Sequence, residues 1–190
     1  RLDVHSSRDR GPPDQFSGET TIRHTDAMGV PLLTAEGYLP RGRFPCTLDD
    51  LEDHFVDDSR FDGSATRGEI FEHFLSAVDL LKSFSPTLIE GVWVGGSYVT
   101  DRLDPDDIDC LFVLSGPAFD ALPSNNKRSQ VQRFNTKGYL REKFHLRVES
   151  FLLVRVPFAN PWLKGGVHPE AAPYTPVSYT HLTLPTNREV

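Results

Sequence analysis

Two apolar segments joined through a glycine-rich turn place the strongest constraint on how this chain folds. Residues 88–94, LIEGVWV, and residues 108–114, IDCLFVL, each have the length and the β-branched and aromatic content of a strand. The first segment runs directly into residues 95–97, GGS, and the second contains Asp109 among apolar neighbours. An unpaired carboxylate in such surroundings is costly, which favours a functional role for Asp109 over a chance position.

The other periodic segments predict helices and one more strand. Thr47 is followed by aspartates, which is typical of a helix start because its hydroxyl can accept hydrogen bonds from free amides. Apolar residues repeat at three and four over 66–84, which predicts a second helix. Residues 118–140 are predicted to be helical with a break at Pro123, and residues 146–156 are predicted to be a third strand. We therefore expect an α+β fold, with a small mixed sheet of at least three strands flanked by helices.

Length and composition indicate one domain with additional residues at each end. The 190 residues suit a single domain, and the net charge of −7 argues against a basic nucleic-acid-binding surface. Residues 1–30 are polar and rich in Gly and Pro, which predicts a disordered leader. Residues 177–190 contain SYTHLTLPT, which resembles a translated sequencing adapter, so we expect a non-native tail. The domain is then predicted at residues 31–176, truncated at its C-terminus.

The sequence contains no signal for a membrane or for an oxidising compartment. No stretch approaches the ~20 apolar residues of a membrane span, and the N-terminal residues lack the apolar run of a signal peptide. Cys46 and Cys110 have neither the pattern of a disulfide framework nor the spacing of a zinc site, so both are expected to be buried thiols. We predict a cytoplasmic protein without disulfides and without membrane partners.

The residues between the two strands predict binding of phosphate and metal. Glycines and a serine at the end of a strand let backbone amides and a hydroxyl approach phosphate oxygens closely. Asp107 and Asp109 alternate along a strand, so their side chains share one face about 6.6 Å apart. Mg²⁺ prefers carboxylate, phosphate and water ligands, and it would remove the repulsion between these carboxylates. Two ions ~3.5–4 Å apart would clamp the attacking and leaving oxygens of a phosphoryl or nucleotidyl transfer.

An apolar strand, Gly-Ser, about ten residues and then Asp-x-Asp in a second apolar strand resembles the signature of the DNA-polymerase-beta-like nucleotidyltransferase superfamily. The resemblance covers residues 88–114. It implies a third carboxylate on a later strand next to the Asp-x-Asp strand, and the third predicted strand offers Glu149, where the family more often has Asp. It also implies two sets of site residues. The nucleotide-binding residues are Gly95, Gly96, Ser97 and Arg102, and the catalytic and metal-binding residues are Asp107, Asp109 and Glu149.

The resemblance implies a Mg²⁺-dependent enzyme that transfers a nucleoside monophosphate group from a nucleoside triphosphate, such as ATP, to an acceptor hydroxyl. The acceptor oxygen attacks the α-phosphate and pyrophosphate leaves toward Ser97, while Glu149 either completes the metal site or accepts the proton of the acceptor. The acceptor is a protein, a small molecule or an RNA end, and a toxin–antitoxin role follows only by analogy. The alternative functions are a catalytically silent nucleotide- or partner-binding module of the same fold and an inactive fragment.

Each of these residues also has a purely structural interpretation. Residues 104–107, DPDD, are typical of a solvated turn. Glu149 is alternatively a surface residue of an edge strand that faces Arg147 or Arg155. Tyr98, next to the Gly-Ser turn, is expected to pack in the core rather than to stack on a base. An EF-hand calcium loop is excluded at residues 104–115, because Asp109 stands where that loop needs glycine.

Overall fold

Five strands form one mixed sheet in the part of the chain that the structure describes. The computed structural model describes the backbone at residues 2–5 and the chain over residues 29–155. The strands are β1 (Leu2–His5), β2 (Arg43–Cys46), β3 (Ile89–Gly95), β4 (Ile108–Ser115) and β5 (Val148–Arg155). Their order is β2-β1-β3-β4-β5; β1 is antiparallel to β2 and parallel to β3, and β4 is antiparallel to β3 and parallel to β5. The predicted α+β class with a mixed sheet is confirmed.

Five helices accompany this sheet in the described residues. They are α1 (Leu48–Phe55), α2 (Arg67–Lys82), α3 (Gly116–Asp120), α4 (Asn125–Gln132) and α5 (Tyr139–Phe144). The predicted helix start is confirmed, because Thr47 Oγ1 accepts from the Asp50 N–H at 3.0 Å and Asp50 Oδ2 accepts from the Thr47 N–H at 2.7 Å. This reciprocal cap satisfies two amides that the first turn of a helix leaves without partners.

Strand β4 has one face in the core and the other toward the candidate site. Its alternate residues from Ile108 to Leu114 are almost completely buried, whereas Asp109 on the opposite face is half-buried. Phe112 stacks on Phe74 of α2, with ring centroids 6.5 Å apart. Each such side chain contributes roughly 1.5–3 kcal/mol when it is fully buried. The core therefore fixes which face of β4 carries the carboxylate.

Strand β5 is an end strand of the described sheet, and a preceding segment covers its outer side. The Leu152 N–H donates to Asn135 Oδ1 at 3.0 Å, and the hydroxyl of buried Ser150 donates to the Phe134 carbonyl at 2.5 Å. Both partners lie in the 3-10 turn Arg133–Asn135, which precedes α5. This turn therefore satisfies one backbone donor and one side-chain hydroxyl of β5.

The structure differs from the sequence-based expectations near the N-terminus and between β4 and β5. Leu2–His5 form strand β1, so the expected disordered leader is wrong at these residues, and residues 6–28 lie outside the described part. The predicted break at Pro123 is present between α3 and α4, but residues 118–140 contain a further interruption before α5, where Gly138 adopts a φ of +74°. Residues 177–190, the expected non-native tail, also lie outside the described residues.

Both cysteines are free and buried in the described structure. Burial raises the pKa of the Cys110 thiol well above its ordinary value, with smaller contributions from the charges of Asp109 and Glu149. A thiol that stays protonated in the core is a packing group rather than a nucleophile, as predicted from the sequence. Within the described ranges, no helix is both long enough and apolar enough to cross a membrane.

Candidate functional site

The turn after β3 places the Gly-Gly-Ser segment against the carboxylate of β4. Gly95 ends β3 and is the register partner of Asp109. Gly96 has a φ of +74°, and a side chain at this position would overlap the Asp109 carboxylate. Glycine is therefore required here both by the left-handed backbone and by the close approach of a charged group. Ser97 follows, half-buried, in the 3-10 turn Gly96–Val99.

The three predicted carboxylates lie near the starts of β4 and β5. Asp107 directly precedes β4, Asp109 is the second residue of β4, and Glu149 on β5 is the register partner of Asp109. Register partners on neighbouring strands have side chains on the same face of a sheet, at strand spacing of about 4.8 Å. The fold thus brings Asp109 and Glu149 side by side, although 149 − 109 = 40 positions separate them in the sequence.

The pKa of Asp109 reflects burial first and its acidic neighbours second. The pKa of Asp109 is raised from its ordinary 3.8 to about 6, mainly because burial disfavours the charged form. The negative charges of Asp107 and Glu149 raise this pKa further, and the positive charge of Lys137 opposes them. Carboxylates in such proximity cannot all ionise without cost, and a divalent cation is the ligand that removes this cost.

Glu149 has one carboxylate oxygen that no group of the described chain satisfies. Its Oε2 accepts from the Gly138 N–H at 3.3 Å. Its Oε1 is buried and has no hydrogen-bond partner among the described residues. A buried acceptor without a donor carries a desolvation penalty of about 1–3 kcal/mol. An unsatisfied oxygen beside Asp109 is therefore a position that fits a bound cation.

Arg147 and Arg155, the alternative partners of Glu149, form ion pairs with other residues. Arg147 forms an ion pair with Glu69 at 3.2 Å, and its Nε donates to the Asp106 carbonyl at 2.7 Å. Arg155 forms an ion pair with Glu90 at 3.2 Å. Glu149 faces Asp109 across the ladder instead. The described contacts do not support the interpretation of Glu149 as a surface residue paired with either arginine.

Asp107 is paired with an arginine of α5. Arg141 donates to Asp107 Oδ2 at 3.3 Å and forms a second ion pair with Asp106 Oδ2 at 2.9 Å. The side chain of Asp107 remains 31% exposed. With Asp107 held in this way, the described residues contain no group of three or more His, Cys, Asp or Glu side chains arranged to hold a metal ion. The backbone register thus aligns the carboxylates, while their side chains are not gathered around one point.

The turn before β4 is anchored rather than free in solvent. Asp104 Oδ1 accepts from the Ala65 N–H at 2.8 Å and from the Ser64 hydroxyl at 3.1 Å. The Thr66 hydroxyl donates to the Pro105 carbonyl at 3.0 Å. The aspartate-rich turn is therefore tied to the residues that precede α2, which fixes where β4 begins and where Asp107 and Asp109 lie.

Arg67, which the sequence analysis missed, holds the connection between β3 and β4. It is 1% exposed, and its guanidinium donates only to backbone carbonyls. The acceptors are Phe55 O at 3.1 Å, Tyr98 O at 2.7 Å, Thr100 O at 2.8 Å and Arg102 O at 2.5 Å. Burial lowers the pKa of Arg67 to about 10. The sequence did contain a signal for this role. Arg67 is the first residue of α2, where the helix dipole disfavours a positive charge, so an arginine there suggests a partner elsewhere in the fold.

Arg102 and Tyr98, two other residues considered in the sequence analysis, differ in their exposure to solvent. The side chain of Arg102 is exposed and forms no ion pair with the described residues, and the contact to Arg67 uses only its carbonyl. Tyr98 is completely buried, which confirms the prediction that it packs in the core. Burial also raises the pKa of its phenol far above the ordinary value. Arg102 is therefore free to reach a ligand from the connection, whereas Tyr98 is not.

This protein is an α+β protein that carries a Gly-Ser turn and adjacent carboxylates at one end of three neighbouring strands. Residues 31–160, more than half of the chain, match DUF6932, a family of unknown function, and the protein belongs to this family. The matched region contains all the candidate residues from Gly95 to Glu149. No curated protein and no solved structure gave a significant match.

Proposed function

We propose that this protein is a Mg²⁺-dependent nucleotidyltransferase that moves a nucleoside monophosphate group from a nucleoside triphosphate to an acceptor hydroxyl. One observation carries this proposal: Asp109 is the register partner of Gly95 on one side and of Glu149 on the other. A turn with bare backbone amides and two carboxylates are thereby adjacent on three strands. Phosphate groups and divalent cations need these two kinds of ligand close together.

The residues of the site fit a divalent cation. Glu149 has a buried oxygen without a donor, and the pKa of Asp109 is raised to about 6 by burial and by its acidic neighbours. Carboxylate oxygens are the ligands that Mg²⁺ prefers in proteins. Asp107, Asp109 and Glu149 would hold the ion. Bound there, Mg²⁺ supplies the charge that stabilises the phosphoryl group during its transfer.

The residues of the chain itself would bind and orient the triphosphate. The backbone amides after Gly96 and the hydroxyl of Ser97 offer donors to phosphate oxygens at the end of β3. Absence of a side chain at Gly96 lets the turn pack directly against the Asp109 carboxylate, so the amides of the turn and the carboxylate are adjacent. Arg102 adds a positive charge from the same connection. Glu149 either completes the cation site or accepts the proton of the acceptor hydroxyl.

The acceptor belongs to a protein, a small molecule or an RNA end, and a role in a toxin–antitoxin pair rests on analogy alone. The net charge of −7 favours an acceptor that does not require an extended basic surface. We also propose a cytoplasmic location, because the buried free thiols of Cys46 and Cys110 fit a reducing compartment.

The test combines thermal unfolding with a transfer assay on the full chain. Each of the four nucleoside triphosphates, labelled at the γ-phosphate so that the leaving pyrophosphate carries the label, is added with and without Mg²⁺, and release of pyrophosphate is measured. At a ligand concentration of 100 times Kd, we expect a Mg²⁺-dependent stabilisation of about 2.7 kcal/mol. Asp109→Asn should lose this stabilisation. Asp120→Asn makes the same chemical change at an exposed aspartate beyond the other end of β4, and it should retain the wild-type response.

Three outcomes distinguish the hypotheses. Full transfer by Asp109→Asn would show that the assigned metal site is wrong. Binding of nucleotide without release of pyrophosphate would indicate the catalytically silent module. Glu149→Gln should abolish transfer and leave nucleotide binding largely intact, and unchanged turnover in this variant would assign Glu149 a surface role.

A further inference from the structure

Residues 137–141 bring a positive group to each carboxylate of the candidate metal site. Arg141 forms an ion pair with Asp107 and the Gly138 N–H donates to Glu149, while Lys137 acts on Asp109 only through its charge. All three groups belong to the start of α5 and the residues just before it. In the metal-free protein, this segment therefore supplies the countercharge that a cation would otherwise provide.

We propose that Arg141 is an internal competitor of the divalent cation, which holds Asp107 when no ion is bound and releases it when an ion binds. This inference rests on the proposed metal site and adds a residue that sets its affinity. Arg141 touches neither of the other two carboxylates in the described contacts, so it is a positioning residue that acts through Asp107.

The two ion pairs of Arg141 differ in a way that favours exchange, and its Nη2 also donates to the Asp106 carbonyl at 3.1 Å. Its contact with Asp106 is 2.9 Å, whereas its contact with Asp107 is 3.3 Å. The Arg141 side chain is 46% exposed, and an ion pair with this exposure is weak and easily replaced. When Asp107 turns to the cation, Arg141 keeps its pair with Asp106. The exchange therefore requires one side chain to rotate and leaves no charge without a partner.

The experiment titrates the full chain with Mn²⁺, a spectroscopic substitute for Mg²⁺, and measures free Mn²⁺ by electron paramagnetic resonance. Arg141→Gln should bind Mn²⁺ about two- to fivefold more tightly than the wild type, the range expected for loss of an exposed ion pair. Arg141→Lys keeps the charge and should restore most of the wild-type affinity. Arg155→Gln removes the same charge from an exposed pair with Glu90, and its affinity should be unchanged.

The result with each protein has a defined meaning. Tighter Mn²⁺ binding by Arg141→Gln than by the wild type supports the proposal that Arg141 competes with the cation. Mn²⁺ binding seen only in this variant supports it as well. Equal or weaker binding by Arg141→Gln overturns it, and the metal site itself still stands if Asp109→Asn abolishes binding. Absence of Mn²⁺ binding in every variant overturns both the competitor and the metal site. Thermal unfolding without metal confirms that each variant is folded before its affinity is compared.

Discussion

Arg67 and the carboxylates around Asp109 are two buried charged regions that the fold treats in opposite ways. The guanidinium of Arg67 donates from its two Nη atoms to four backbone carbonyls and lies 3.7 Å from the centroid of the Phe61 ring, and only its buried Nε has no partner among the described residues. Glu149, in contrast, has a buried oxygen without a donor, and Asp109 has a pKa of about 6. The chain itself supplies the ligands of the cation. For the carboxylates it supplies fewer partners, which is consistent with the cation site proposed above.

The two regions are also connected through one loop. Arg67 holds the carbonyls of residues 98, 100 and 102, which lie between the Gly-Ser turn and the aspartates. Arg67 thus fixes the loop between the Gly-Ser turn and the aspartates. Substitutions in the first region should cost stability, whereas substitutions in the second should cost function and can increase stability.

The largest expected effect is at Arg67. Arg67→Met leaves buried carbonyls without donors, and we expect a loss of about 3–5 kcal/mol in the free energy of unfolding, measured with urea. Arg67→Lys retains the charge but offers its donors from a single nitrogen, so it should lose nearly as much. Arg60→Gln, which removes an exposed pair with Asp58, should change stability by less than about 1 kcal/mol. A loss at Arg67 no larger than at Arg60 would contradict the structural role.

The second prediction is that Asp109→Asn stabilises the metal-free protein. Because the folded state raises the pKa of Asp109 from 3.8 to about 6, the folded protein binds more protons than the unfolded chain in that pH range. Wild-type stability should therefore fall as the pH rises from about 4 to about 6, by about 1–3 kcal/mol. Asparagine carries no charge to desolvate, so the variant should be more stable than the wild type above about pH 6.

The measurement is urea unfolding of wild type and Asp109→Asn at several pH values in the presence of a chelator. The two proteins should have similar stability near pH 4 and should diverge as the pH rises. Asp120→Asn is the control, and it should follow the wild type across the range. If Asp109→Asn is instead less stable than the wild type at the higher pH values, the Asp109 carboxylate has a partner that stabilises its charge.

The third prediction separates backbone strain from displacement of a carboxylate. Gly96 and Gly138 have the same φ of +74°, so alanine at either position costs about 1–2 kcal/mol in strain. At Gly138 the new methyl group would meet only Glu142 Oε1 at 3.6 Å, whereas at Gly96 it would displace the Asp109 carboxylate. Gly96→Ala should therefore lose Mn²⁺ and nucleotide binding, and Gly138→Ala should retain both. Equal binding by the two variants would remove the functional argument for Gly96.

The smallest effect is expected from Glu149→Gln on the titration of Asp109. The charge of Glu149 contributes to the raised pKa of Asp109 after burial and the charge of Asp107. Loss of this third contribution should lower the pKa of Asp109 and leave it above the ordinary value. Nuclear magnetic resonance of the Asp109 carboxyl carbon in metal-free protein measures this shift. No change in the titration would show that the two carboxylates do not interact.

Elements with a strong local pattern were predictable from the sequence. The helix at 66–84 and the strand at 108–114 correspond to α2 and β4, because each buries one regular face. Strand β1 was not predicted, because its four residues are identified by pairing with β2 and β3 rather than by a local pattern. The several short helices within residues 118–140 depend on tertiary contacts and on the left-handed backbone at Gly138.

The candidate site was predictable in its residues but not in its contacts. The spacing of Asp107 and Asp109 and the resemblance indicated the aspartates, and the register of β4 and β5 places Glu149 beside them. No sequence pattern indicated that Arg141 would pair with Asp107, because that contact joins residues 141 − 107 = 34 positions apart. Side-chain pairs across such distances are set by how the short helices pack.

The side chain of Asn135 also has a consequence for how copies of this protein meet in concentrated solution. An open sheet edge is a template for strands of other molecules and thus a starting point for aggregation. On β5 the Leu152 N–H already donates to Asn135 Oδ1, so a foreign strand approaching there finds this donor in use. A residue outside the candidate site thereby helps to keep the strand that carries Glu149 from intermolecular sheet growth.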